Sequence, residues 1–151
     1  MGAALNAIKR LTPDQYGLLI DVSRRNDLEE PTPEDLAGIK AAWGIIGQDG
    51  ILLASVALLE RENCWVLDCL AVDASFRGTG LGRQLVALAE ASIQAVELTF
   101  DLYLVTKVPG FFSKLGYYKL PRSEAPDFSE CFRCERYQVT CFPEVMQKQF
   151  H

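Results

Sequence analysis

Three glycines within five residues, in Arg77-Gly78-Thr79-Gly80-Leu81-Gly82, make up the stretch of this chain best suited to binding chemistry. They follow the apolar run Leu70-Ala71-Val72 and precede Leu81, Leu85, Leu88 and Ala89, which recur at helical spacing with Ser92 on the same face. A turn that opens a helix leaves N–H groups without internal partners, and the helix dipole adds positive potential there, so pyrophosphate binding is the chemistry to expect. Gly78, Gly80 and Gly82 carry no side chain to hold phosphates off, while Arg77 and Arg83 add charge. Two other phosphate motifs do not fit. A dinucleotide fingerprint wants a glycine where Arg83 stands, and a P-loop wants a closing Lys-Ser/Thr pair. The alternative is a tight turn with no ligand, but three glycines weaken a helix start that gains nothing from them.

The cysteines are the second chemical group. Cys131-x-x-Cys134 with Cys141 invites a zinc reading, yet a closed site needs four ligands and the sole histidine is His151, the last residue. No metal is therefore expected, and reduced structural or redox-sensitive thiols fit better. Cys64 and Cys69 fall on opposite faces of one strand and are expected in the core.

The chain of 151 residues suits one domain, here taken as 1–151 with a cysteine-containing segment at 121–151. Its formal net charge of -5 repels phosphate backbones, so nucleic acid is not an expected partner. No apolar run reaches the roughly 20 residues that span a bilayer, and the N-terminus lacks a signal-peptide layout. Five cysteines, an odd number, add to a cytoplasmic expectation with no membrane partner.

The elements that must position these groups follow from pattern. Ala4–Leu11 is an opening strand; Thr12-Pro13-Asp14-Gln15 starts a helix whose face carries Tyr16, Leu19, Ile20 and Ser23. Thr32-Pro33-Glu34-Asp35 starts a shorter helix through about Ile39. Strands at about Ala42 to Gln48 and Ile51 to Glu60 flank the Asp49-Gly50 hairpin turn. Cys64–Val72 is the next strand, after a turn at Arg61-Glu62-Asn63. A helix over Gly80–Ala95, a strand at Asp101–Thr106, a short helix at Gly110–Leu115 and strands at Tyr117–Leu120 and Glu144–Phe150 follow. The layout is α/β or α+β with a mixed sheet.

Leu70-Ala71-Val72-Asp73 followed by Arg77-Gly78-Thr79-Gly80-Leu81-Gly82 resembles the core motif of the GNAT superfamily of acyl-CoA N-acyltransferases, written Arg/Gln-x-x-Gly-x-Gly/Ala. Phe111-Phe112-Ser113-Lys114-Leu115-Gly116-Tyr117 is similar to that family's Phe-Tyr-Glu-Lys-Leu-Gly-Phe segment, and the resemblance covers roughly Ala42 to Leu120. It implies a mixed, mostly antiparallel sheet of about six or seven strands with flanking helices, in which the parallel strands Cys64–Val72 and Asp101–Thr106 splay apart. Acetyl-CoA would be the cosubstrate. Main chain at Leu70, Ala71 and Val72 would bond its pantetheine arm, with one N–H polarising the thioester carbonyl, and the helix start would hold the pyrophosphate. Thr106, Phe111 and Phe112 would complete the donor site near its thiol end. The family's frequent glutamate falls at Val66 here, a departure. Asp68, two residues on and on the same strand face, becomes the leading candidate for base or amine anchor, against a plain pairing with a neighbouring cation. Glu60 or Glu62 is the alternative through water. The family's thiol-protonating tyrosine falls at Phe112, so that acid is missing, which a thiolate of pKa about 8.5 tolerates as a leaving group.

The ending, with Glu130-Cys131-Phe132-Arg133-Cys134 and Cys141 before Glu144-Val145-Met146, resembles short N-acetylglutamate synthase-like members of the superfamily, as does Thr106-Lys107-Val108-Pro109-Gly110-Phe111-Phe112. The implied reaction is acetyl transfer to the α-amine of glutamate or a similar amino acid, by direct attack in a ternary complex. Lys107 is the candidate cation for the acceptor carboxylate, ahead of Arg24, Arg25 and Lys40. A homodimer is an expected assembly, and a silent acyl-CoA-binding module is the alternative function.

Overall fold

Apolar and β-branched runs bounded by turn residues set the strands in a computed structural model that describes residues 8–151, apart from the side chains of Glu130 and Cys131. Strand β1 is short, Lys9–Arg10, and positions 4–7 of the expected opening strand lie outside the described residues. The Gln15 carboxamide accepts from the Thr12 N–H at 2.9 Å, but Thr12-Pro13 opens only a single tight turn, Pro13–Gln15. Helix α1 begins later than the capping pattern predicts, at Leu18–Arg25 after Gly17. Helix α2, Pro33–Ala37, starts where expected: Thr32 Oγ1 accepts from the Asp35 N–H and the Asp35 carboxylate accepts from the Thr32 N–H, both at 3.0 Å.

Strands β2, Ile39–Ile46, and β3, Leu52–Arg61, form the expected hairpin, with Gly50 in the left-handed region at φ 84°. They approach so closely at Gly44 that a Cβ there would stand 2.6 Å from the Ala54 carbonyl oxygen. Strand β4, Cys64–Val72, helix α3, Leu81–Gln94, and strand β5, Phe100–Thr106, come next. Helix α4, Pro109–Ser113, and strands β6, Tyr118–Lys119, and β7, Glu144–Phe150, complete the order. The sheet has seven strands in the order β1-β2-β3-β4-β5-β7-β6. It is mixed: β4 and β5 are parallel, with Trp65 opposite Leu102 and Val66 opposite Tyr103, while β1–β2, β2–β3, β5–β7 and β6–β7 are antiparallel.

The chain forms two compact units. The first holds the described residues up to Leu59 together with Leu67–Val96. Its helix α3 buries Leu81, Leu85, Val86, Ala89 and Ile93, each large one contributing about 2 kcal/mol by leaving water. Leu88, expected on that face, is 37% exposed; Val86 and Ile93 take its place because the buried stripe lies to one side of the predicted one.

The second unit holds Glu60–Val66 and Glu97–His151. Strand β5 alternates, burying Phe100, Leu102, Leu104 and Thr106, and pairs with β7 from Phe100–Phe150 to Thr106–Glu144. The rings of Phe100 and Phe150 stack 4.4 Å apart. Between β6 and β7 the chain is mostly irregular, held by Phe128, Phe132 and Tyr137 in successive edge contacts and by the Arg122 guanidinium 3.9 Å from the Phe132 ring centre. Among the described residues no helix is long and apolar enough to cross a membrane.

Candidate functional site

The glycine turn is built by side chains that serve its backbone. The Asp73 N–H donates to the Leu53 carbonyl at 2.9 Å, fixing the end of β4, and Arg25 pairs with the Asp73 carboxylate at 3.0 Å. Arg77 donates through Nε to the Val72 carbonyl at 3.1 Å and through its terminal nitrogen to Asn26 Oδ1 at 3.3 Å. Thr79 Oγ1 donates to the Phe76 carbonyl at 2.6 Å. Arg77 is therefore a brace for the turn as well as a charge beside it. Gly78 and Gly80 both have φ +81°, a conformation that costs any other residue about 1–2 kcal/mol, and a Cβ on either would meet nothing within 4 Å. Gly80 is the N-cap of α3, and no side chain among the described residues caps that first turn. Its N–H groups are thus presented on an open side, where an anion is favoured. Leu81 is buried in the core and offers only main chain, whereas Arg83 is exposed.

Strand β4 leads into this turn with a break in its alternation. Val66 and Leu67 are both buried, and Cys69 is left-handed at φ 55°. The Ser55 hydroxyl, fully buried on β3, donates to the Cys69 carbonyl at 2.7 Å, and the Cys69 N–H donates to Asp68 Oδ1 at 2.7 Å. Beyond it Ala71 is buried while Leu70 and Val72 are half-buried. Asp68 is half-buried although Val66, expected on its face, is buried. Burial first, and then the Asp68 charge, push the Cys69 thiol well above its ordinary range, so it stays protonated.

Thr106, Lys107, Phe111, Phe112 and Glu60 belong to the second unit. Thr106 is buried and its Oγ1 accepts from the Val108 N–H at 2.9 Å. Phe112 is buried edge-on to Phe111 and Tyr117, with ring centres 5.0 and 5.6 Å away, and Phe111 is half-buried. Lys107 and Glu60 are exposed. Of the other cations considered for a carboxylate, Arg24 pairs with Glu30 at 3.0 Å and Arg25 with Asp73. Cys64, expected in the core, is half-buried; burial and then Glu62 raise its thiol to about 11. Among the described residues no group of three His, Cys, Asp or Glu side chains could hold a metal ion, and the Cys131 side chain lies outside them. Sequence reasoning missed Ser55; its signal was a lone hydroxyl inside the apolar run Leu52-Leu53-Ala54-Ser55-Val56-Ala57.

Known proteins resemble this chain in sequence and in fold. The chain is 29% identical to an uncharacterized N-acetyltransferase of Chlorobaculum tepidum over 150 residues, 97% of this chain and 90% of that one. It is 31% identical over 77 residues to an amino-acid acetyltransferase of Ectopseudomonas mendocina, covering 50% of this chain and 18% of the relative. Among solved structures, Rv2747 of Mycobacterium tuberculosis, crystallised with CoA, superposes with a TM-score of 0.67 at 15% identity, covering 95% of this chain and 99% of that one. The N-acetylglutamate synthase of Neisseria gonorrhoeae, in complex with coenzyme A and N-acetyl-glutamate, superposes with a TM-score of 0.65 at 17% identity, covering 95% of this chain and 35% of that one. Residues 41–119, more than half of the chain, match the acetyltransferase (GNAT) domain, and the chain belongs to that family of acetyltransferases.

Proposed function

We propose that this chain, acting as a single catalytic domain, transfers the acetyl group of acetyl-CoA to the α-amine of an amino acid such as glutamate. The carrying observation is the pair Gly78 and Gly80, both at φ +81° on an open side of an uncapped helix start. N–H groups of that first turn bind the pyrophosphate, and main chain at Leu70, Ala71 and Val72 bonds the pantetheine arm. By resemblance to the family, Thr106, Phe111 and Phe112 are further donor-binding candidates. The amine attacks the thioester carbonyl directly: the new C–N bond forms, the C–S bond breaks, and CoA leaves as thiolate. The acceptor must first lose its ammonium proton to water, because an ammonium of pKa about 10 is scarcely deprotonated at neutral pH, and the N–H proton freed as the amide forms passes to the CoA thiolate. Lys107, exposed just after β5, is the cation offered to the acceptor carboxylate. The amino-acid acceptor draws support from the amino-acid acetyltransferase and N-acetylglutamate synthase among its relatives.

An amino-acid panel with acetyl-CoA, read by release of CoA thiol, tests this. Turnover is expected with glutamate or a close analogue. Turnover confined to polyamines or peptides would overturn the acceptor and keep the enzyme. Tight CoA binding with no turnover across all amines would make the chain a silent acyl-CoA-binding module.

A further inference from the structure

We propose that Ser55 and Asp68 are positioning residues that clamp the left-handed backbone at Cys69 and thereby set the main-chain edge Leu70–Val72 for the donor, an inference that rests on the donor site proposed above. A residue inside a strand normally gives its N–H and C=O to neighbouring strands. At Cys69 each group meets a side chain: the carbonyl accepts from Ser55 Oγ and the N–H donates to Asp68 Oδ1, each at 2.7 Å. Cysteine has no preference of its own for φ 55°, so surrounding contacts must impose it. Ser55 is placed to do so. Its hydroxyl is fully buried, opposite Gly44 in the β2–β3 register, and it grips from the strand next to β4 in the sheet.

The consequence falls on the residues that follow. After Cys69 the strand runs buried Ala71 between half-buried Leu70 and Val72 until Asp73 is tied to Leu53. The edge is thus pinned at both ends, by the clamp at Cys69 and by the Asp73–Leu53 bond four residues on. A change at the clamp turns the peptide groups between those pins. Asp68 holds an N–H here through a carboxylate oxygen, a task that the amide oxygen of asparagine performs equally well.

Four variants of the full chain, Ser55→Ala, Ser55→Thr, Asp68→Ala and Asp68→Asn, separate this role from catalysis. Calorimetric binding of CoA is read beside turnover. Ser55→Ala and Asp68→Ala should weaken CoA binding about tenfold, because each leaves a polar backbone group without its partner. Ser55→Thr and Asp68→Asn, which keep the donor and the acceptor, should restore it to within about twofold. Cys69→Gly added to Ser55→Ala should recover part of the loss, since glycine takes a positive φ unaided. The pH–rate profile of Asp68→Asn should keep the wild-type inflections. CoA affinity unchanged in Ser55→Ala and Asp68→Ala, with both folded by circular dichroism, would overturn the clamp. Asp68→Asn with intact CoA affinity but no turnover would make Asp68 the base or amine anchor instead. The binding arm still reads out if no acceptor amine is turned over, which keeps failure of the clamp distinct from failure of the acceptor assignment.

Discussion

The stretch from Cys69 to Arg83, which runs from the end of β4 into the start of α3, and the mostly irregular segment from Pro121 to Pro143 are ordered by different means. In the first, side chains bond to main chain: Ser55 to the Cys69 carbonyl, Arg77 to the Val72 carbonyl, Thr79 to the Phe76 carbonyl. In the second, side chains also hold one another, beside the bond from Arg122 to the Ala125 carbonyl at 3.2 Å. Phe128, Phe132 and Tyr137 meet edge to face, and Arg122 covers Phe132 while bonding Asp127 at 3.4 Å. A backbone fixed in this way can present its own N–H groups at set positions, which suits recognition of a charged, featureless group such as a phosphate. An aromatic ladder instead spends its side chains on cohesion and presents whatever lies outside it.

Thiol chemistry gives the widest separation, between strand β4, which leads into the first region, and the second region. The Cys64 thiol is raised to about 11 by burial and Glu62, so at pH 8 its thiolate fraction is roughly two hundredfold below that of an ordinary cysteine. Its alkylation by iodoacetamide, followed by peptide mass spectrometry, should rise with pH until about 11, and Cys69 should stay slower still in the native protein. Half-buried Cys134 and Cys141 should label first. Early labelling of Cys69 would mean that the strand opens at its left-handed residue.

A backbone substitution ranks next. Gly80→Val forces a β-branched residue to φ +81° and places a side chain on the open side of the turn, so CoA affinity should fall roughly thirtyfold by calorimetry. The same change should leave hydrogen exchange over residues 122–137 untouched. Arg122→Ala has the converse signature. Losing the cation over Phe132 and the bond to Asp127 should cost about 1 kcal/mol in thermal unfolding and speed exchange across residues 122–133, with CoA binding preserved.

Where the sequence carries strong local signals, the fold was legible. Cys64–Val72 and Glu144–Phe150 are the strands expected, and the Asp49-Gly50 turn joins the expected hairpin. The helix after the glycine turn differs by one residue at each end. The start of α1 was not legible, because Gly17 ends the turn that Thr12-Pro13 begins and no side chain announces where the helix resumes. Nor was the left-handed residue in β4. Backbone of that kind is usually marked by glycine or asparagine, and here it is a cysteine held by a serine fourteen residues earlier and by the side chain of its neighbour. Asp68 stood out as an acid in an apolar run, but that its carboxylate accepts from a main-chain N–H leaves no trace in composition. The same reason hid the bracing task of Arg77, which reads as a free charge until Val72 and Asn26 are seen to hold it.

That brace bears on the thermodynamic character of ligand capture. Arg25 to Asp73, Asn26 to Arg77 and Arg77 to Val72 tie the end of α1 to the turn within one unit of the chain. The loop entropy that a bound pyrophosphate would otherwise have to remove is thereby surrendered during folding. A turn prepared in this way takes up its ligand with a small ordering penalty, so its affinity reflects contacts made and little of it is lost to tightening the receptor.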